Sequence, residues 1–181
     1  MMTVLWFVSG VVLTVVGLAC SVGAVLPRDH VATGSLAVRA GADAVWQAIR
    51  DVEGLPSWRR SVNKIEGVER DGERGARRWT EHGTHGPMTM IVDECVEAKR
   101  LVTRIDDTKL PFGGSWTFEL TPVEDADGGG VSTRVRITER GFVKMPPMRA
   151  IAKVFMDPRA NLVAYLQDLS AKHGGGGGVE E

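Results

Sequence analysis

Apolar residues follow three different regimes along the chain. From Thr3 to Leu26 they run on with no charged side chain among them. From about residue 31 to residue 141 they alternate with polar residues in short stretches. From Met145 to His173 they recur at three- and four-residue steps. In this last regime Ile151, Val154, Phe155, Pro158, Leu162, Tyr165, Leu166 and Leu169 share one stripe of a helix, and Arg149, Lys153, Arg159, Gln167, Asp168 and Lys172 share the other side. Pro158 complicates the stripe, because proline has no amide to give and its ring clashes with the preceding turn. Asp157-Pro158 also reads as an N-cap followed by a first helical residue. The pattern predicts either one kinked helix or two helical pieces meeting near Asp157. A dry stripe must be buried against something, and the alternating segments before it supply a sheet.

Those segments begin with Ala32 to Arg39, where Leu36 and Val38 fall on one face of a first strand. Asp43 is expected to cap a helix through Arg50, with Val45, Trp46 and Ile49 as its buried stripe. Ser57, after the Gly54-Leu55-Pro56 break, is expected to cap a second short helix holding Trp58 and Val62. Strands then follow at Ile65–Arg70, Ala76–His82, Met88–Val96, Arg100–Asp106, Ser115–Thr121 and Val131–Arg140. The connections are short, which favours antiparallel pairing, since parallel neighbours need long crossovers. An antiparallel sheet with one wet face curls its dry face around the terminal helix. The expected architecture is an α+β helix-grip: a curved antiparallel sheet of about seven strands wrapped around a long C-terminal helix.

The uncharged run is different in kind. At ~1.5 Å per residue it spans roughly 36 Å, enough to cross a bilayer core with some tilt. A cleaved signal peptide is the rival, with Ala19-Cys20-Ser21 as a small-x-small site, but no Lys or Arg precedes the run and it exceeds a usual signal core. The chain is therefore expected to divide into a transmembrane anchor at 1–27, a helix-grip domain at 28–173, and a glycine-rich flexible tail at 174–181. Arg28 and Arg39 follow the run, which by the positive-inside rule puts the domain on the cytoplasmic side.

Charge narrows the partners. Lys and Arg number 22 against 23 Asp and Glu, which gives no electrostatic case for nucleic acid. The two cysteines, Cys20 in the run and Cys95 in a strand, neither staple the domain nor belong to a metal-like cluster. No Gly-x-Ser-x-Gly elbow or phosphate-cradling loop is present, and no cofactor is expected.

Candidate binding residues come from the strand faces. Trp116, Phe118 and Leu120 alternate on one strand, Val131, Thr133, Val135 and Ile137 on the next, and Met88, Met90 and Val92 on another. With Trp58, Trp79, Phe155 and Tyr165 they make a pocket lining, although each alone also reads as core. Phe112, in the Leu110 to Gly114 loop, is a candidate plug, with Gly113 and Gly114 freeing the backbone to swing it. Arg104, if turned inward, would bind a carboxylate or polarise a ketone. His82, His85 and Glu81 read as a hairpin end facing water rather than a metal site.

Three stretches carry a resemblance. They are Ala42-Asp43-Ala44-Val45-Trp46-Gln47-Ala48-Ile49-Arg50-Asp51 with Leu55-Pro56-Ser57-Trp58, then Phe112 to Pro122 (FGGSWTFELTP), and Gly130 to Gly141 (GVSTRVRITERG). In this order, over residues about 31 to 173, the chain resembles the START-related SRPBCC superfamily in its polyketide cyclase/dehydrase-like branch. Leu26-Pro27-Arg28 is similar to the end of the apolar segment in membrane-tethered members. The resemblance implies a deep cavity between sheet and helix for lipids, sterols, polyketides or other apolar ligands. The expectation is a membrane-tethered protein that binds a small apolar molecule. The alternatives are a cyclase/dehydratase-type enzyme acting on an apolar polyketide-like substrate, with Arg104, Tyr165 or His82 as acid/base or oxyanion groups, and a protein-interaction module with a closed cavity.

Overall fold

Alternation becomes one antiparallel sheet in the computed structural model, which describes residue 14 and residues 17–72, 75–84, 86–124, 130–155, 157, 159–175 and 178–180, the side chains of Glu124 and Phe155 excepted. The strands are β1 (Asp29–Val38), β2 (Val62–Arg70), β3 (Ala76–Gly83), β4 (Gly86–Val96), β5 (Arg100–Ile105), β6 (Phe112–Glu124) and β7 (Val131–Val143). They lie in the order β1-β7-β6-β5-β4-β3-β2. Short turns make β2 to β7 a meander, and β1 closes against β7. The register carries the apolar positions into rows on the inner face. Trp79 lies opposite Met90 and Met90 opposite Ile105. Thr103, Trp116, Glu139 and Ala32 form a second row, and Leu101, Phe118, Ile137 and Gly34 a third.

Among the described residues three helices cover that face: α1 (Ala42–Arg50), α2 (Pro146–Phe155) and α3 (Ala160–Lys172). Helix α1 buries Val45, Trp46, Ala48 and Ile49, but its N-cap is Gly41 rather than Asp43. Asp43 sits in the first turn, where its charge favours the helix dipole instead. The second short helix shrinks to one tight turn, Leu55–Ser57, in which the Ser57 hydroxyl donates to the Gly54 carbonyl at 2.7 Å. Val62, placed in that helix by the sequence pattern, already belongs to β2.

The terminal stripe is two helices, one ending at Phe155 and the next beginning at Ala160; Met156 and Pro158 lie outside the described residues. Helix α3 buries Leu162, Tyr165, Leu166 and Leu169 as the periodicity requires. Asp168, read as part of the wet side, is buried as well. Its carboxylate accepts from the Arg60 amide at 2.9 Å and from Arg60 Nε at 2.6 Å, which satisfies it where water cannot reach. Helix α2 departs further: Ile151 and Val154, expected in the dry stripe, are exposed. A stripe drawn across a break has no fixed phase, because each piece turns its own side to the sheet.

The predicted anchor, 1–27, falls largely outside the described residues, and among the described residues no helix is long and apolar enough to cross a membrane. Residues 17–25 are helical. The end of this helix is fastened to the start of α2. A Cβ on Gly23 would lie 1.7 Å from the Pro146 carbonyl oxygen, so only glycine allows the approach. Arg149 donates to the carbonyls of Gly23 at 3.2 Å, Leu26 at 3.4 Å, Val143 at 3.0 Å and Lys144 at 2.9 Å. A cation at carbonyls ending a helix is favourable both as hydrogen bond and against the dipole. At the other terminus, Glu180 exchanges backbone hydrogen bonds with Ser35 of β1, at 2.9 and 2.7 Å.

Two apolar clusters result. One joins α1 and α3 to β1, β6 and β7; the other lies under β2, β3 and β4 with the Leu55 turn. Trp58, Val92 and Trp116 pack against both.

Candidate functional site

Between the inner face of the sheet and the helices the two clusters leave a cavity of about 570 Å³. Sites for small organic molecules typically run from about 300 to 1,000 Å³. Trp79, Met88, Met90, Phe112, Trp116 and Phe118 contribute to its walls from the sheet and Tyr165 from α3. These residues come from three strands and one helix, and the pairing register alone assembles the sheet part. The other candidates fall elsewhere. Val135 is fully buried in the closed part of the core. Trp58 stands behind the wall with its ring edge on Tyr165, centroids 5.4 Å apart and planes at 83°. The side chain of Phe155 lies outside the described residues.

Arg104 is a correction. On β5 Thr103 points into the cavity, so Arg104 points out, as strand geometry demands. Its Nε donates to Asp93 at 3.0 Å and its Nη1 to Asp106 at 3.3 Å, and these bonds hold the guanidinium still more firmly charged. It has no access to a ligand in the cavity. His82 is also turned away, with Nε2 2.7 Å from a Glu66 carboxylate oxygen on the neighbouring strand. His85 lies outside the described residues, and among those described no group of three or more His, Cys, Asp and Glu is arranged to hold a metal. Phe112 to Gly114, read as a loop, are the start of β6 and pair with Val143, Phe142 and Gly141. Gly113 is required there for packing: a Cβ would sit 2.6 Å from the Phe142 ring.

Glu81, read with His82 and His85 as a hairpin end facing water, is instead buried in the cavity wall, and Arg59 and Glu139 were missed by sequence reasoning. Glu81 follows Trp79 by two residues and therefore shares its inner face. Its Oε1 accepts from the Trp79 indole at 3.0 Å and its Oε2 from Arg59 Nη1 at 3.0 Å. Arg59 leaves the Leu55 turn and lays its guanidinium over the Tyr165 ring, 4.9 Å from the centroid, while Phe118 packs on the same ring at 5.2 Å. A buried carboxylate is tolerable only when paired and hydrogen-bonded, and here it is both. The pair is neutral as a unit, so it wets one part of the cavity without charging it. The buried Nε of Arg59 has no hydrogen-bond partner among the described residues. Burial pushes the Tyr165 phenol up from its ordinary range, Arg59 drawing it partly back and Glu81 adding to the rise. At neutral pH the phenol stays protonated; it offers a hydrogen bond and not a base.

A second polar point lies along β7. Glu139 continues the inward row of Val135 and Ile137 and is buried, with His30 Nε2 at 3.6 Å. A Cβ on Gly141 would fall 2.3 Å from the His30 ring, so glycine lets the imidazole lie against the strand. A signal for Glu81 and Glu139 was present in the sequence: each is a carboxylate in phase with the buried positions of its strand. None existed for Arg59, whose partner is supplied by the fold.

Residues 29–167 match the family model described as polyketide cyclase / dehydrase and lipid transport. No curated protein sequence matches the chain. Among solved structures it is similar to a START superfamily protein from Mycobacterium smegmatis, at 16% identity and a TM-score of 0.62 over 80% of this chain and 97% of that one. It is similar to the Zhui aromatase/cyclase from a Streptomyces species, at 16% identity and a TM-score of 0.64 over 81% of this chain and 94% of that one. Norcoclaurine synthase from Thalictrum flavum gives 16% identity and a TM-score of 0.60 over 80% and 86%. At such identities the likeness is one of fold.

Proposed function

Because the chain belongs to the polyketide cyclase / dehydrase and lipid transport family, we propose that it holds a small apolar molecule in this cavity, as a carrier or sensor tethered to a membrane. The observation that supports this is the cavity itself: aromatic and methionine walls around a polar cluster that is already neutralised by its own members. The Glu81 end of the site favours a part of the ligand that is hydrocarbon or carries a hydrogen-bonding oxygen. A charged headgroup would lose its water and find no free counter-charge at Glu81 and Arg59. The tether rests on the uncharged run from Thr3 to Leu26, and Arg28 and Arg39 beyond it favour the cytoplasmic side.

One observation favours a cyclase or dehydratase instead, namely that Tyr165 and Arg59 meet in the same cavity and can both donate to a carbonyl. Solved proteins of this fold include an aromatase/cyclase and a synthase, so the fold admits chemistry without requiring it. A base is what the cluster lacks, since both oxygens of Glu81 are engaged. The binding reading stands first because the cluster around Tyr165 and Arg59 has no base of its own, the other carboxylate of the wall, Glu139, standing on β7 with His30 beside it.

Mass spectrometry of small molecules extracted from the detergent-purified, full-length protein tests the proposal. A recurring apolar compound in stoichiometric amount is the expected result. Preparations that carry no compound and take up no added lipid or quinone would overturn it.

A further inference from the structure

Helix α2 exposes what a helix packed on a sheet normally buries. Ile151 is 48% exposed and Val154 73%, with Met148 beside Ile151 on the same side and Met145 exposed just before the helix. The other exposed large apolar residues of the domain, such as Val96 and Val131, stand singly on strands, which is ordinary. The α2 stripe is contiguous, and its neighbours decide what covers it. The helix at residues 17–25, itself showing Leu18, Val22 and Val25, ends against Pro146 and is fastened there by Arg149. Helix α2 is ten residues long, about 15 Å at the usual rise, so all of it lies within that distance of the end of the uncharged run. Whatever surrounds the run surrounds the start of α2.

We propose that α2 lies in the surface of a phospholipid bilayer, its Ile151 and Val154 side among the acyl chains. This rests on the tethered reading above and deepens it, because the same helix is a cavity wall. Met148, Ala152 and Lys153 line the cavity from α2, and Leu26 to His30 line it from the end of the run. The side of the cavity nearest the anchor therefore faces lipid, and a ligand passes between bilayer and cavity without crossing bulk water. A second copy of the chain is the competing cover; the bilayer is favoured because the end of the chain's own uncharged run is fastened to α2.

The test uses full-length protein with Cys20 and Cys95 replaced by serine, reconstituted in vesicles of phosphatidylcholine and phosphatidylglycerol. A single cysteine at Ile151 or Val154, or at Arg136 on the outer face of β7 as control, carries an environment-sensitive NBD label. At 151 and 154 the emission should shift to the blue and be quenched several-fold more by nitroxide lipid than by aqueous iodide; at 136 the order should reverse. Iodide quenching at 151 equal to that at 136, in protein that resists alkaline carbonate washing, would overturn the α2 proposal and leave the tether standing. Release by carbonate would overturn both. Shielding from both quenchers, with self-quenching between labelled copies, would assign the face to a second copy and equally overturn it.

Discussion

Leu166→Ala should lower the stability of the domain by about 3–5 kcal/mol, a large part of the total that holds a domain of this size together. Leu166 is wholly buried and stands clear of the cavity, so its truncation leaves a void in a closed part of the core that neighbours fill only in part. With a melting temperature that moves roughly 2–4 °C per kcal/mol in chains of this length, thermal unfolding reads the effect easily. Ile151→Ala is the contrast. The sequence pattern sets the two residues on one buried stripe, yet Ile151 is exposed, and its truncation should stay within about 0.5 kcal/mol. Equal effects at the two positions would contradict the break between α2 and α3.

Arg59→Met should be nearly as damaging, by about 3 kcal/mol, because it strands a buried carboxylate rather than because the ion pair itself is strong. Glu81 is buried among Trp79, Met88 and Met90, and Arg59 is only a fifth exposed. Adding Glu81→Gln should restore most of the loss. The amide removes the unpaired charge and keeps an oxygen for the Trp79 indole, whose own orphaning would cost about 1–3 kcal/mol. The double-mutant cycle therefore predicts a double variant more stable than Arg59→Met alone. Additive losses would mean that Arg59 acts through its stacking on Tyr165 and not through the pair.

What the sequence showed of this fold came from periodicity. Period-two runs bounded by turn residues predict the strands, and once the strands pair in order, Trp79, Met90, Thr103 and Trp116 must face one way. Alternation likewise turns Arg104 outward beside Thr103. Periodicity failed where its phase was interrupted. Across residues 156–159 the stripe of α3 does not continue into α2, so Ile151 and Val154 left the core, and Asp168 entered it on the strength of Arg60, more than a hundred positions away. The polar cluster was legible only in part, for a related reason. A carboxylate in a strand usually marks the wet face, and what reverses the rule at Glu81 is a guanidinium delivered by a turn that pairs with nothing local. Local patterns report burial; they do not report which distant partner makes burial of a charge tolerable.

The central claim is an accessible cavity inside the sheet, and photolabelling tests it most directly. Full-length protein in vesicles is irradiated with a small uncharged diazirine, and the labelled residues are mapped by mass spectrometry. The account predicts adducts on the inner rows of β4, β5 and β6, at positions such as Met90 and Trp116. It predicts weaker labelling beside position 103 in Thr103→Trp, where an indole takes up part of the cavity, and unchanged labelling in Arg104→Trp, one residue along on the outer face. Unfolding curves on both variants confirm that each is folded. Adducts confined to residues 1–27 and α2, with the inner face of the sheet unlabelled in the wild type, would contradict it.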